Sequence, residues 1–192
     1  PQTLTLDQVE LGKNYALVIT TNAGLWRYKI GDTVKFTSVS PYKVRVSGRT
    51  RHFINAFGEE LIIENAEAGL ALACNHHRCS ITEFTAGPVY FSEGNDKGAH
   101  EWMVEFEQEP ENLDAFIETL DVELRKLNSD YDAKRNKDMA LTRLQLTAVP
   151  KGTFFNWMKQ RGKLGGQNKV PRLKNDRQFL EELQSFLEVE SS

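Results

Sequence analysis

The apolar residues of this chain change their spacing between residues 46 and 60, and that change limits the folds open to it. Before it the pattern is strand, turn, strand. Residues 15–21 form an almost unbroken apolar and β-branched run, as expected of a strand buried on both faces. Asn22, Ala23 and Gly24 turn it into residues 25–30, and Val34-Lys35-Phe36 and Val44-Arg45-Val46 alternate on either side of a turn at Ser40-Pro41. From residue 60, stripes at helical spacing take over. Residues 60–74 place Ile63, Ala66, Leu70 and Ala73 on one face, and residues 112–127 place Leu113, Phe116, Ile117, Leu120, Leu124 and Leu127 on another. Between these helices the spacing predicts a strand over 81–91, broken at Gly87-Pro88, and one over 102–106 with Trp102, Val104 and Phe106 on a single face. A hairpin loop holding Glu93 and Asp96 joins the two.

Residues 130–138 are charged and read as a short solvated helix, and Leu144, Leu146 and Ala148 as a strand stopped by Pro150. Thr153 suits the cap of a short helix with Phe154, Phe155, Trp157 and Met158, closed by Gly162. Asn175 and Gln178 resemble a capping box ahead of a last helix whose stripe is Phe179, Leu180, Leu183, Phe186 and Leu187. A β segment followed by mixed helices and strands is an α+β chain.

With 192 residues, 40% apolar and 27% charged, the chain can bury a real core in one domain or two small ones. A net charge of -3 gives no electrostatic reason to bind nucleic acid or a membrane surface. No apolar run has the length of a membrane span or the form of a signal peptide. Two cysteines, Cys74 and Cys79, fit a reducing cytoplasm. They frame Asn75-His76-His77-Arg78, yet six consecutive residues cannot easily aim four ligands at one tetrahedron, so no metal site is expected there. His52, in His52-Phe53-Ile54, reads as a packed or surface histidine and not as a base.

Three polar groupings carry the chemistry. The first is Trp26-Arg27-Tyr28 running into Gly31-Asp32, read as a tight turn in which glycine takes the unusual backbone angles and Asp32 projects from a rigid edge. An ionised carboxylate held there accepts hydrogen bonds only, which suits the two hydroxyls of a ribose. The second is Gly48-Arg49-Thr50-Arg51, after a strand over 42–46, a bend with cationic forks suited to ribose or phosphate. The third is residues 161–172, which combine the cations Arg161, Lys163, Lys169 and Arg172 with Gly162, Gly165 and Gly166. Glycines let such a backbone come close to a phosphate.

The order of these groupings carries a resemblance. Tyr28-Lys29-Ile30-Gly31-Asp32, then Gly48-Arg49, then Gly58-Glu59-Glu60 resembles the ribose-binding aspartate, hinge and second-domain entry of adenylate-forming enzymes. With WRYKIGDTV early and GGQNKVPR late, the chain is more narrowly similar to the auxin-responsive acyl acid amido synthetases, in their bacterial branch. The likeness spans nearly the whole chain.

What the resemblance implies is the C-terminal part of a larger enzyme. Residues 1–48 would be a residual β-barrel segment of the large domain with its ribose-binding turn, and residues 49–192 a mobile lid domain, a mixed-sheet α/β sandwich. Tyr28, Asp32 and Arg49 would bind the nucleotide, and Gly48, Thr50 and Arg51 would form the hinge. Lys169 is similar to the lysine of the plant family's Gln-Tyr-Lys-Thr-Pro-Arg stretch and is taken as catalytic. Lys163 is its rival, because Gly162-Lys163 resembles the Gly-Lys end of the superfamily's last motif. Near Glu59 the plant enzymes carry a lysine that this chain lacks. ATP and Mg2+ would be held mostly by the large N-terminal domain of the same protein, since no Ser/Thr/Gly-rich phosphate loop occurs here. The partners implied are a small acyl acid and an amino acid. The fragment by itself would not complete the reaction. Two alternatives stand beside this one: a ligase that passes its adenylate to coenzyme A, and a nonenzymatic module whose basic loop docks an anionic partner.

Overall fold

The computed structural model describes residues 3–49, 53–90, 97–136, 140–165 and 168–190. The expected hinge residues Thr50 and Arg51, together with His52, Glu93, Asp96, Gly166 and Gln167, lie outside the described residues. The chain divides into two compact units, Pro1–Arg51 and His52–Ser192.

The first unit is an antiparallel sheet of β1 (Asn14–Ile19), β2 (Tyr28–Val39) and β3 (Tyr42–Arg49), in that spatial order. The sheet is open and does not close into a barrel. Its interior is small: Val34 and Phe36 are buried, and Tyr15 and Tyr42 set their rings edge-on to Phe36 at 5.9 and 6.2 Å. The expectation of a first strand buried on both faces does not hold. β1 has one sheet neighbour, β2, and its residues alternate between exposed and half-buried, with Val18 outward. A continuous apolar run predicts two covered faces only where layers exist on both sides. Val44 and Val46 on β3 are likewise exposed, at 55% and 64%, although they share a face with Phe36 and Val34 across the ladder.

The second unit is built on a mixed sheet of β6 (Ser80–Val89), β7 (Ala99–Gln108) and β8 (Gln145–Val149), ordered β6-β7-β8. β6 and β7 are antiparallel, whereas β7 and β8 are parallel and therefore need a long crossover. That crossover supplies α2 (Leu113–Leu127) and α3 (Ser129–Arg135). Ahead of the sheet, the short strands β4 (Phe53–Ile54) and β5 (Leu61–Ile62) pair as a hairpin and lead into α1 (Ile63–His77). After it come α4 (Thr153–Gln160) and α5 (Gln178–Glu190).

β7 is not the one-faced strand its alternation suggests. It is the middle strand, and both faces are covered. Trp102, Val104 and Phe106 enter a core with Leu70 of α1 and Phe116, Leu120 and Leu124 of α2. Met103 enters a second core with Phe154, Trp157 and Met158 of α4 and Leu180 and Leu183 of α5. Burying a large apolar side chain in this way stabilises by roughly 1.5–3 kcal/mol each. β6 is also continuous through Gly87 and Pro88, which pair with Glu101 and His100. Proline is tolerated because β6 lies at the edge of the sheet. Gly87 is required by a close approach: a Cβ there would meet the carbonyl oxygen of Asp176 at 2.9 Å and Leu180 Cδ1 at 3.0 Å.

Three further expectations change. α3 is solvated on one side only: Asp130 and Ala133 are exposed, whereas Tyr131 and Arg135 are buried and bonded to the buried Asp121 of α2, and residues 137–138 lie outside the described residues. Thr153 does not cap α4. The cap is the buried Glu105 of β7, whose carboxylate accepts from the backbone N–H of Gly152 at 2.9 Å and of Phe154 at 3.0 Å. Asn175 does not cap α5 either, because its Oδ1 accepts from the backbone N–H of Asn55, 120 residues earlier.

Candidate functional site

Each unit holds one set of candidate functional residues. In the first unit, Gly31 and Asp32 do not form a tight turn between strands. They lie inside β2, which runs on past them to Val39. Ala16 of β1 pairs with Thr33 and Val18 with Lys29, so β2 carries extra residues against β1 at this point. Gly31 has φ 89°, the left-handed region that a bulge of this kind asks of glycine. A Gly-Asp pair satisfies a bulge as well as a turn, which is why the sequence alone misplaced it. Gly48 and Arg49 likewise close β3 instead of following it, and their backbones face Thr33 and Asp32.

A second irregularity lies beside the first. Thr33 pairs with Gly48 but Val34 with Val46, leaving Ser47 as the extra residue of β3. Ser47 is buried, and its hydroxyl donates to Asn14 Oδ1 at 2.5 Å and lies 3.2 Å from Thr33 Oγ1. One residue from each strand is thereby tied together next to Asp32. Asp32 itself is half-buried, Tyr28 is 51% exposed and Trp26 is 78% exposed. Arg27, between the two aromatics, has φ 47°, and its N–H donates to Thr20 Oγ1 at 3.2 Å.

In the second unit the basic loop runs from the end of α4 to the start of α5. Lys163 N–H still donates to Met158 at 2.9 Å, so α4 fastens the near end. Gly162 and Gly165 follow with φ 65° and 78°, and a Cβ on either would touch nothing within 4 Å. The backbone angle, not crowding, asks for glycine at both. At the far end, Thr85 Oγ1 donates to the Pro171 carbonyl at 2.7 Å. Ala86 N–H donates to the Arg172 carbonyl at 2.8 Å, and Lys174 N–H to that of Ala86 at 3.2 Å. Leu173 is fully buried.

The four cations of this loop have different fates. Arg161 lies over the rings of Trp157 and Phe179 at 4.7 and 4.8 Å and pairs with Glu182 at 3.2 Å. Arg172 forms a fork to Glu83 at 2.7 and 3.4 Å, reaches Glu67 at 2.5 Å, and lies over Phe84. Lys163 and Lys169 are exposed, and among the described residues neither ammonium forms an ion pair. Among the described residues, the two lysines are thus the cations of this loop that face solvent without an ion pair.

In the turn of the β4–β5 hairpin, Glu59 is fully buried, accepting from Phe57 N–H at 2.7 Å and bonding His100 Nε2 at 2.8 Å. Burial pushes the Cys74 thiol up to about 12, helped by the neighbouring Cys79, whose own value burial also raises. Both are free thiols. Among the described residues no group of three or more His, Cys, Asp or Glu side chains is arranged to hold a metal ion. Sequence reasoning missed the Arg172–Glu83–Glu67 cluster, because its members are 89 and 105 residues apart and no local pattern links them.

Residues 64–178 match the GH3 family C-terminal domain, and residues 1–49 the GH3 family central domain. The indole-3-acetic acid-amido synthetase GH3.3 of Arabidopsis thaliana is 30% identical over 181 residues, covering 87% of this chain and 30% of that protein. The jasmonoyl-L-amino acid synthetase GH3.5 of Oryza sativa subsp. japonica is 30% identical over 186 residues, 88% of this chain and 30% of that protein. Among solved structures, a GH3.15 acyl acid amido synthetase superposes with a TM-score of 0.70 at 21% identity, over 94% of this chain and 34% of that one. The chain thus spans about a third of the length of the proteins it matches.

Proposed function

The chain belongs to the GH3 family, and from that membership we propose that it is the C-terminal part of an ATP-dependent acyl acid amido synthetase. The observation that carries the reading is the match of both units, in order, to consecutive domains of one family. In the first step an acyl carboxylate oxygen attacks the α-phosphorus of ATP, and the bond to the β-phosphate oxygen breaks, expelling pyrophosphate. In the second an amino acid amine attacks the acyl carbonyl and AMP leaves. Carboxylate and triphosphate are both anions, so the first step needs positive charge where negative charge accumulates.

Within this scheme Asp32 accepts the ribose hydroxyls, set at its angle by the Gly31 bulge, with Tyr28 and Arg49 beside the nucleotide. Gly48, Thr50 and Arg51 act as the hinge between a segment over 1–48 and a lid over 49–192. Lys169 brings its ammonium to the transferring phosphate, and Lys163 is the alternative. The exposure of these two, against the pairing of Arg161 and Arg172, supports the choice. Mg2+ accompanies ATP in such chemistry, and its ligands belong to the rest of the parent protein. No helix among the described residues is long and apolar enough to cross a membrane. The reading takes the protein as cytoplasmic.

The test is acid-dependent exchange of labelled pyrophosphate into ATP by the intact parent. Lys169→Ala is expected to lower exchange by roughly a hundredfold or more, as removal of one transition-state charge does. Lys163→Ala is expected to stay within about threefold. The reverse ranking moves the role to Lys163, and wild-type exchange in both variants sinks it. Supplying amino acids or coenzyme A to the preformed adenylate identifies the acceptor.

A further inference from the structure

We propose that Arg172 is a positioning residue for Lys169, and this rests on the reading of Lys169 given above. Arg172 stands three residues beyond that lysine, and its guanidinium is committed elsewhere. Its fork holds Glu83 of β6 at 2.7 and 3.4 Å, and its other arm reaches Glu67 of α1 at 2.5 Å. Planar bidentate pairing of this kind fixes direction as well as distance. The backbone around it is fixed too, with the carbonyls of Pro171 and Arg172 accepting from Thr85 and Ala86, and Leu173 fully buried. This end of the loop is thus bound to β6 by its main chain and to both β6 and α1 by a single side chain.

The link from that anchor to Lys169 is short and stiff. Only Val170 and Pro171 intervene. Proline holds its own φ near its ring value and biases the preceding residue toward extended backbone. Three residues reach at most about 10 Å, so a shift of the anchor passes to the lysine with little slack. The near end is fastened to α4 at Lys163, but Gly165, with its permissive backbone, stands between that contact and Lys169 and passes on little of the restraint. Arg172 acts through Lys169's placement and does not touch the nucleotide.

The experiment uses the intact parent with Arg172→Gln, Arg172→Lys and Glu83→Gln. A misplacement of about 1 Å costs on the order of a hundredfold. Arg172→Gln is expected to lower kcat of pyrophosphate exchange by roughly ten- to hundredfold, with KM for ATP within about twofold. Glu83→Gln is expected to give the same split, and the double variant to be no worse than either single one. Arg172→Lys, which keeps charge without the fork, is expected to recover little. Hydrogen exchange across residues 168–174 is expected to quicken in Arg172→Gln. A raised KM for ATP with kcat intact would assign Arg172 to the nucleotide and overturn the proposal, as would wild-type behaviour of Glu83→Gln. If the wild-type parent shows no acid-dependent exchange, the function reading fails; unaltered hydrogen exchange in Arg172→Gln removes the anchor by itself.

Discussion

Glu59 shows what a buried carboxylate costs and what keeps it ionised. Burial pushes its carboxyl up, but the hydrogen bond and charge interaction with His100, and the N–H of Phe57, bring it below the ordinary value of 4.5. A carboxyl with a lowered folded value stabilises most above its unfolded value, and that stabilisation is lost as pH falls through the folded one. Thermal melts of the wild type from pH 7 down to 3 are therefore expected to fall more steeply than those of Glu59→Gln. At pH 7 the variant should be less stable by about 1–3 kcal/mol, and in acid the gap should narrow. A constant gap across that range would separate Glu59 from the effect. No residue spacing announces this pair, since its partners lie 41 positions apart. At the same scale Asp32, Lys163 and Lys169 are candidates through motif order alone, because a lone aspartate or lysine carries no direction in its neighbours.

Among the elements, α1, α2 and α5 were readable from their stripes, which burial of one face imposes on any sequence. Their caps and the strand limits were less so. The cap of α4 comes from Glu105, 49 residues before Phe154, where Thr153 offered the local signal. Glu105→Ala is expected to cost about 1–3 kcal/mol in urea unfolding, since it leaves two backbone N–H groups without an acceptor. Thr153→Ser should cost much less, and similar losses for the two would return the cap to Thr153. The run over 15–21 misled for a complementary reason: β-branched content reports strand propensity, while the number of covered faces depends on what the strand packs against. Gly31-Asp32 misled because bulges and turns recruit glycine for the same backbone angle.

At the scale of the whole molecule the two units differ in what holds them. Both large cores draw every member from the second unit, from Ile54 to Leu187. A chain starting at residue 52 is accordingly expected to fold alone and to melt within about 5 °C of the longer one, checked by circular dichroism. Residues 1–51 alone should remain unfolded, because Val34 and Phe36 are their only buried apolar side chains among the described residues. A cooperative melt of that peptide would contradict this. The strand pattern read up to residue 46 did not show that two more short strands, β4 and β5, precede the first long helix at Ile63, nor how little interior the first unit has.

β7 separates two interiors, and this divides its evolutionary freedom. Positions 102, 104 and 106 exchange volume with α1 and α2, while 103 and 105 answer to α4 and α5. Compensating substitutions along this one strand should therefore sort into two non-mixing sets by odd and even number, as coupling between touching residues requires.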